Sequence, residues 1–185
     1  MRPSRSLFGS LAPVALLLGL IVALVAGCGE EEKTSGSEGE LIHVGDAVYQ
    51  VQLSRLLNPE QRPDDEYLRG QPPLTRTQDY LGTFLTISNE GKASYSPPRD
   101  MKVVDTQGNQ YLPLGTPQAS FGLDFGHPIP PDQKAPPPDS PAAAGPEGGA
   151  LVLFRVKSES ATDNLPLYLE VPDEDGKTSR IRLDI

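Results

Sequence analysis

From Leu41 onward, apolar side chains recur at every second position. Tyr49, Val51 and Leu53 alternate with Gln50, Gln52 and Ser54, and Leu81, Thr83, Leu85 and Ile87 alternate with Gly82, Phe84, Thr86 and Ser88. The same spacing returns at Met101 and Val103, at Ala150, Val152, Phe154 and Val156, at Leu165, Leu167, Leu169 and Val171, and at Ile181, Leu183 and Ile185. A period of two is that of a strand with one buried face. Turn formers separate these runs: Asn58-Pro59, Asn89-Glu90-Gly91-Lys92, Asp105 to Gly108 and Asp173-Glu174-Asp175-Gly176. The last of these predicts a hairpin joining 165–171 to 178–185. Pro166 predicts an edge position or a bulge, because proline has no amide to give a sheet. With no stripe at helical spacing and no internal repeat in this region, the pattern predicts an all-β chain. The expected architecture is a two-sheet antiparallel β-sandwich of about seven strands over 41–185.

Two stretches interrupt the alternation. Residues 59–75 are polar and carry Asp64, Asp65 and Glu66. Residues 114–149 are rich in proline and glycine, and a loop of this length in a compact domain is either functional or disordered. Its first part holds Phe121 and Phe125, whose rings are expected to pack on the sandwich. Its later part, from Asp132 through Pro136-Pro137-Pro138 to Gly149, reads as mobile polyproline-like chain, so the whole reads as a flap hinged on an ordered root.

The first residues have another character. Arg2 and Arg5 precede an uncharged apolar run that ends in Val25-Ala26-Gly27-Cys28. A positive start, an apolar middle and small residues before a cut site make an export signal. The four-residue ending resembles the lipobox of bacterial lipoproteins. The resemblance implies that 1–27 is a removed signal peptide and that Cys28 takes up a thioether-linked diacylglycerol and acyl chains such as palmitate. Membrane lipid is then the first partner, reached through acylated Cys28. An uncleaved membrane helix and plain secretion are the alternatives. Pro13 inside the run and the lone cysteine directly after Ala-Gly favour the lipoprotein. Residues 28–40, with GEEEKTSGSEGE after the cysteine, contain no apolar side chain before Leu41 and read as an acidic, flexible tether. The expected location is extracytoplasmic: the outer face of the cytoplasmic membrane or, in a two-membrane cell, the outer membrane, toward which Gly29 in place of Asp leans.

Composition narrows the function. The net charge of −9 over 185 residues opposes nucleic acid, whose phosphates call for Lys and Arg. With Cys28 acylated, no cysteine remains for a disulfide, a thiolate nucleophile or a metal site. The absence of Trp weakens a sugar-cleaving cleft.

Three segments share a further resemblance. They are Tyr80 to Asn89 with the Gly-containing turn after it, Val103-Val104-Asp105 through Gly108 to Tyr111, and the glycine-led apolar strand Gly149 to Val156. Together they resemble the telokin-like, immunoglobulin-like domains of bacterial extracytoplasmic lipoproteins, over about 46–185. The resemblance implies an immunoglobulin-like sandwich and no defined activity. The proline-rich insertion departs from it.

Side chains suited to chemistry are sparse. His43 and His127 are the two histidines, no Gly-x-Ser-x-Gly occurs, and neither histidine reads as a catalytic base. Asp173-Glu174-Asp175-Gly176 and Asp64-Asp65-Glu66 are the dense oxygen-donor runs, and each reads as a solvated turn ahead of a calcium loop. No catalytic residue, metal ligand or cofactor is therefore assigned. Phe121, Phe125, Tyr67 and Tyr95 fall in or near loops and form the candidate contact surface, since exposed aromatics dominate hot spots. The expected function is non-enzymatic binding of an unidentified envelope or surface protein. An envelope hydrolase and a ligand- or ion-binding accessory of a transporter stand as alternatives.

Overall fold

The alternation read from the sequence becomes ten strands in a computed structural model that describes residues 32–116 and 120–185. The expectations for the signal peptide 1–27, for Cys28 and for the start of the tether lie outside the described residues. The strands are β1 (Ser35–Ser37), β2 (Ile42–Val44), β3 (Ala47–Leu57), β4 (Gln78–Asn89), β5 (Lys102–Val104), β6 (Gln110–Tyr111), β7 (Lys134–Ala135), β8 (Ala150–Lys157), β9 (Leu167–Pro172) and β10 (Thr178–Leu183). One sheet has the order β1-β10-β9-β5-β6. The other has β2-β3-β4, with β7 and β8 both paired along the far edge of β4. Every pair is antiparallel except β1 with β10. The expected all-β sandwich is thus present, with the short strands β1, β6 and β7 added at its margins. The turn at Asp173–Gly176 joins β9 to β10 as expected. Pro166 stands just before β9, outside the paired residues.

Two apolar clusters hold the fold. The main one lies between the sheets and gathers the alternating set, including Tyr49, Val51, Leu85, Phe154, Leu169 and Ile181. The second lies on the outer face of the β3-β4-β8 sheet and includes Leu57, Tyr67, Tyr80, Phe84, Leu151 and Leu153. A β-bulge in β3 makes the second cluster possible. Val51 pairs with Leu85, but Leu53 pairs with Phe84, so the register shifts across Gln52. An extra residue in a period of two turns every later side chain to the other face. Tyr49 and Val51 therefore face inward, while Leu53 and Leu57 join the outer cluster. Residues 58–77 fold over that cluster and form α1 (Asp64–Tyr67) on the way. Both clusters belong to one compact unit, Glu32–Ile185.

The tether expected over 28–40 gives way to structure within its span. Ser35, Gly36 and Ser37 pair with Arg180, Ile181 and Arg182 of β10, and the His43 amide donates to the Lys33 carbonyl. The segment between them bridges the margins of both sheets. Backbone hydrogen bonds and polar side chains hold it, which explains why hydrophobicity did not mark it. The Glu38 carboxylate accepts from the Ser54 amide and hydroxyl and from the Asp184 amide. The segment packs closely at Gly36, where a Cβ would stand 2.8 Å from Ile42 Cδ1 and the Ile42 side chain would have to shift.

The mobile flap expected over 132–149 is likewise corrected. β7 pairs with Ile87 and Ser88 of β4. Ser140 caps α2 (Pro141–Ala144) by accepting from the Ala143 amide. Gly149 passes so close to β4 that a Cβ would lie 2.7 Å from the Leu85 nitrogen. Proline cannot join a sheet interior, but it packs well, and it loses little entropy on ordering. A third helix, α3 (Ser158–Thr162), follows β8.

Candidate functional site

The four aromatics proposed as one contact surface separate into two pairs. Tyr67 and Phe121 stack edge-on, 5.0 Å between centroids, and Tyr67 meets Phe84 at 5.2 Å. Tyr67 is only 1% exposed and closes the outer cluster, so it is not available as a contact residue. Phe121 packs on the same cluster, as its expected docking requires. The physical reason is α1, which lays its residues across an apolar sheet face rather than toward solvent. Tyr95 and Phe125 pack instead against the main core. The Tyr95 and Tyr49 hydroxyls hydrogen-bond at 2.9 Å, and Arg99 stands 5.8 Å over the Phe125 ring.

Around the outer cluster runs a polar clasp that the sequence did not announce. Arg55 donates to both oxygens of Asp64, at 2.9 and 2.6 Å, and to Glu147 at 2.9 Å. The Tyr67 hydroxyl donates to the other Glu147 oxygen. The Asp64 side chain is 7% exposed and that of Glu147 is 8% exposed. Hydrogen bonding to Asp64 holds the guanidinium above its ordinary pKa against the opposing effect of burial. Burial opposes ionisation of Asp64, but Arg55 and the Asn58 amide more than offset it, and its pKa is lowered. Burial, then Glu147, pushes the Tyr67 phenol up. Asp64 therefore serves a structural ion pair. The charge of Arg55 on a strand between leucines was the one sequence signal for the clasp.

A second buried polar group lies at the β5–β6 turn. Asp105 is 2% exposed and accepts from Ser160 Oγ at 2.6 Å, from Asn109 Nδ2 at 2.7 Å and from the Gln107 and Asn109 amides. Burial works against its charge, yet these donors prevail and bring its pKa down to about 2. It ties the β5–β6 turn to α3.

The end of the sandwich that carries the β2–β3 and β9–β10 turns is concave. A cleft of about 390 Å³ opens there, and its charged lining is entirely acidic: Asp46, Asp100, Asp173, Glu174 and Asp175. Tyr95 also lines it. Burial raises the Tyr95 phenol to about 12, opposed by the Tyr49 hydroxyl and helped by Glu174 and Asp173. Such a cleft attracts positive groups and repels anions. Sequence reading treated Asp173–Gly176 as a turn and did not join it to Asp46 and Asp100, because three separate loops meet only in the folded sandwich. Among the described residues, no group of three or more His, Cys, Asp or Glu is placed to hold a metal ion.

The two histidines lie apart. His43 sits in β2 and is half-buried. The His127 side chain is 86% exposed, with Nδ1 2.5 Å from Asp124 Oδ2 in a loop. The Gly126 amide, then the His127 imidazole, hold the Asp124 carboxyl below its usual range.

No family model and no curated protein matches this chain. Solved structures share its fold. An uncharacterized β-sandwich protein from Clostridium difficile aligns with a TM-score of 0.50 at 15% identity, over 84% of this chain and 97% of that one. A lipoprotein candidate, ycdA of Bacillus subtilis, aligns with a TM-score of 0.50 at 15% identity, over 80% of this chain and 39% of that one. At these identities the likeness concerns the fold, a β-sandwich of unknown function. No described helix is long and apolar enough to cross a membrane.

Proposed function

We propose that this chain is a lipid-anchored, extracytoplasmic binding module without enzymatic activity, built on a telokin-like, immunoglobulin-like sandwich. The observation that carries the reading is Val25-Ala26-Gly27-Cys28 at the end of a signal-like run, followed by a domain that begins within a few residues. Acylation of Cys28 supplies the membrane hold, since each buried methylene contributes about 0.8 kcal/mol and two or more chains bind stably. The sandwich supplies a rigid frame for its loops. The acidic cleft beside Tyr95 is the contact region, and it favours a partner that presents lysine or arginine.

The test places a photocrosslinking residue at Ser94, on the cleft, and at Gln107, in the β5–β6 turn at the far end of the sandwich. A discrete crosslinked species from Ser94, absent from Gln107 and lost in the Asp100→Asn and Asp173→Asn double variant, is the expected outcome. Equal crosslinking from both positions, or a product indifferent to the two substitutions, contradicts the reading.

A further inference from the structure

The insertion does more than cover the sandwich. Between Ser120 and Ala150 it lines a second, open cavity, also of about 390 Å³, which lies within the roughly 300–1,000 Å³ of small-molecule sites. Its floor is apolar: Leu123, Ile129, Ala142 and Ala150 all line it and are 7, 5, 4 and 2% exposed. Prolines between Pro128 and Pro137 form much of its wall. Proline has no amide to satisfy, so such a wall stays rigid and carries few donors. The frame is pinned on several sides. Ile129 exchanges two backbone hydrogen bonds with Tyr95, at 2.9 and 2.7 Å, and its carbonyl accepts from Asn89 Nδ2 at 2.8 Å. β7 is paired to β4, and Glu147 is held by Arg55. The protein's own contacts thus hold the frame of the cavity.

The polar groups at its margin define what it takes. Asp124 lines the cavity, but its Oδ1 accepts from the Gly126 amide at 2.7 Å and its Oδ2 lies 2.5 Å from His127 Nδ1, so both oxygens already have partners. Lys134 lines the cavity, is exposed, and makes no ion pair among the described residues. The cavity thus pairs an apolar floor with one uncommitted cation, in a protein whose net charge is −9. We infer that it binds a small molecule with an apolar body and an anionic head, the head meeting Lys134 and the body lying on Leu123, Ile129 and Ala142. The site is distinct from the acidic cleft, and the inference does not depend on the lipid anchor or on the partner proposed above.

Decanoate below its micelle concentration is the probe, and decyltrimethylammonium is its charge-reversed control. Amide spectra of residues 32–185, the compact unit that contains both apolar clusters, map the response. Decanoate should produce saturable shifts centred on Leu123, Ile129, Ala142 and Ala150, with affinity at least tenfold above that of the cationic control. Lys134→Glu, a surface change that leaves the core intact, should weaken decanoate at least threefold. Ala142→Trp should fill the cavity and remove binding. Shifts that do not saturate or that scatter over the surface overturn the inference. So does equal affinity for the two amphiphiles, or indifference to Lys134→Glu.

Discussion

Arg55 and Glu147 are 92 positions apart in the chain and share a hydrogen-bonded ion pair of 2.9 Å. The contact fastens the end of the proline-rich insertion to the last part of β3. Asp64 occupies the other side of the same guanidinium, so one side chain on β3 holds two separate loops.

Removal of that side chain leaves two largely buried carboxylates without a counter-ion. Breaking a buried pair from one side costs about 3–5 kcal/mol. Arg55→Ala is therefore expected to lose about 3 kcal/mol in chemical denaturation. Glu147→Gln, which keeps its shape and one acceptor, should lose less than half of that. Deletion of 132–149 removes β7, α2 and Glu147 together and should unfold the domain or lower its midpoint sharply. A deletion that left stability unchanged would show the insertion to be an appendage.

The N-terminal segment behaves as part of the sandwich. Glu38 accepts two hydrogen bonds from Ser54 and one from Asp184. Glu38→Ala strands the Ser54 hydroxyl, on a residue that is 2% exposed, and is expected to cost about 1–3 kcal/mol. Truncation of residues 29–40 should destabilise the domain at least as much, read as a lower thermal midpoint. A true tether would be removed without effect.

Asp105 makes stability depend on acid. Its folded pKa of about 2 lies below the ordinary value of 3.8. A group with a depressed folded pKa stabilises fully above its unfolded pKa, and that contribution is lost as pH falls through the folded value. Asp105 should thus supply roughly 2 kcal/mol at neutral pH that disappears between about pH 4 and pH 2. Denaturation midpoints of the wild type and Asp105→Asn, followed across that window, should converge as the pH falls. Parallel curves would remove Asp105 from the account.

The long strands were legible because burial on one face leaves a period of two, as at Val152, Phe154 and Val156 in β8. The second face was harder to read. Leu151 and Leu153, the residues between them, are buried too, but by loops whose cover no local pattern reports. Gln52 carries no mark of a bulge, although the shift there decides which side Leu53 and Leu57 take. Gly36 to Glu40 is held by hydrogen bonds, so a reading based on apolar residues assigned it to solvent. Tyr67 was misplaced for the complementary reason: a polar stretch around it folds inward on the strength of Arg55 and Glu147. The cleft lay beyond reach because Asp46, Asp100 and Asp173 are distant along the chain.

The central claim is that Cys28 anchors this sandwich to a membrane, and the mass of the mature N-terminal peptide tests it most directly. The account predicts that the mature protein begins at Cys28, carries a diacylglyceryl mass on that residue and partitions into detergent, and that Cys28→Ser accumulates as unprocessed precursor. A mature chain that begins elsewhere, or an unmodified Cys28 in a protein that still partitions into detergent, would contradict it.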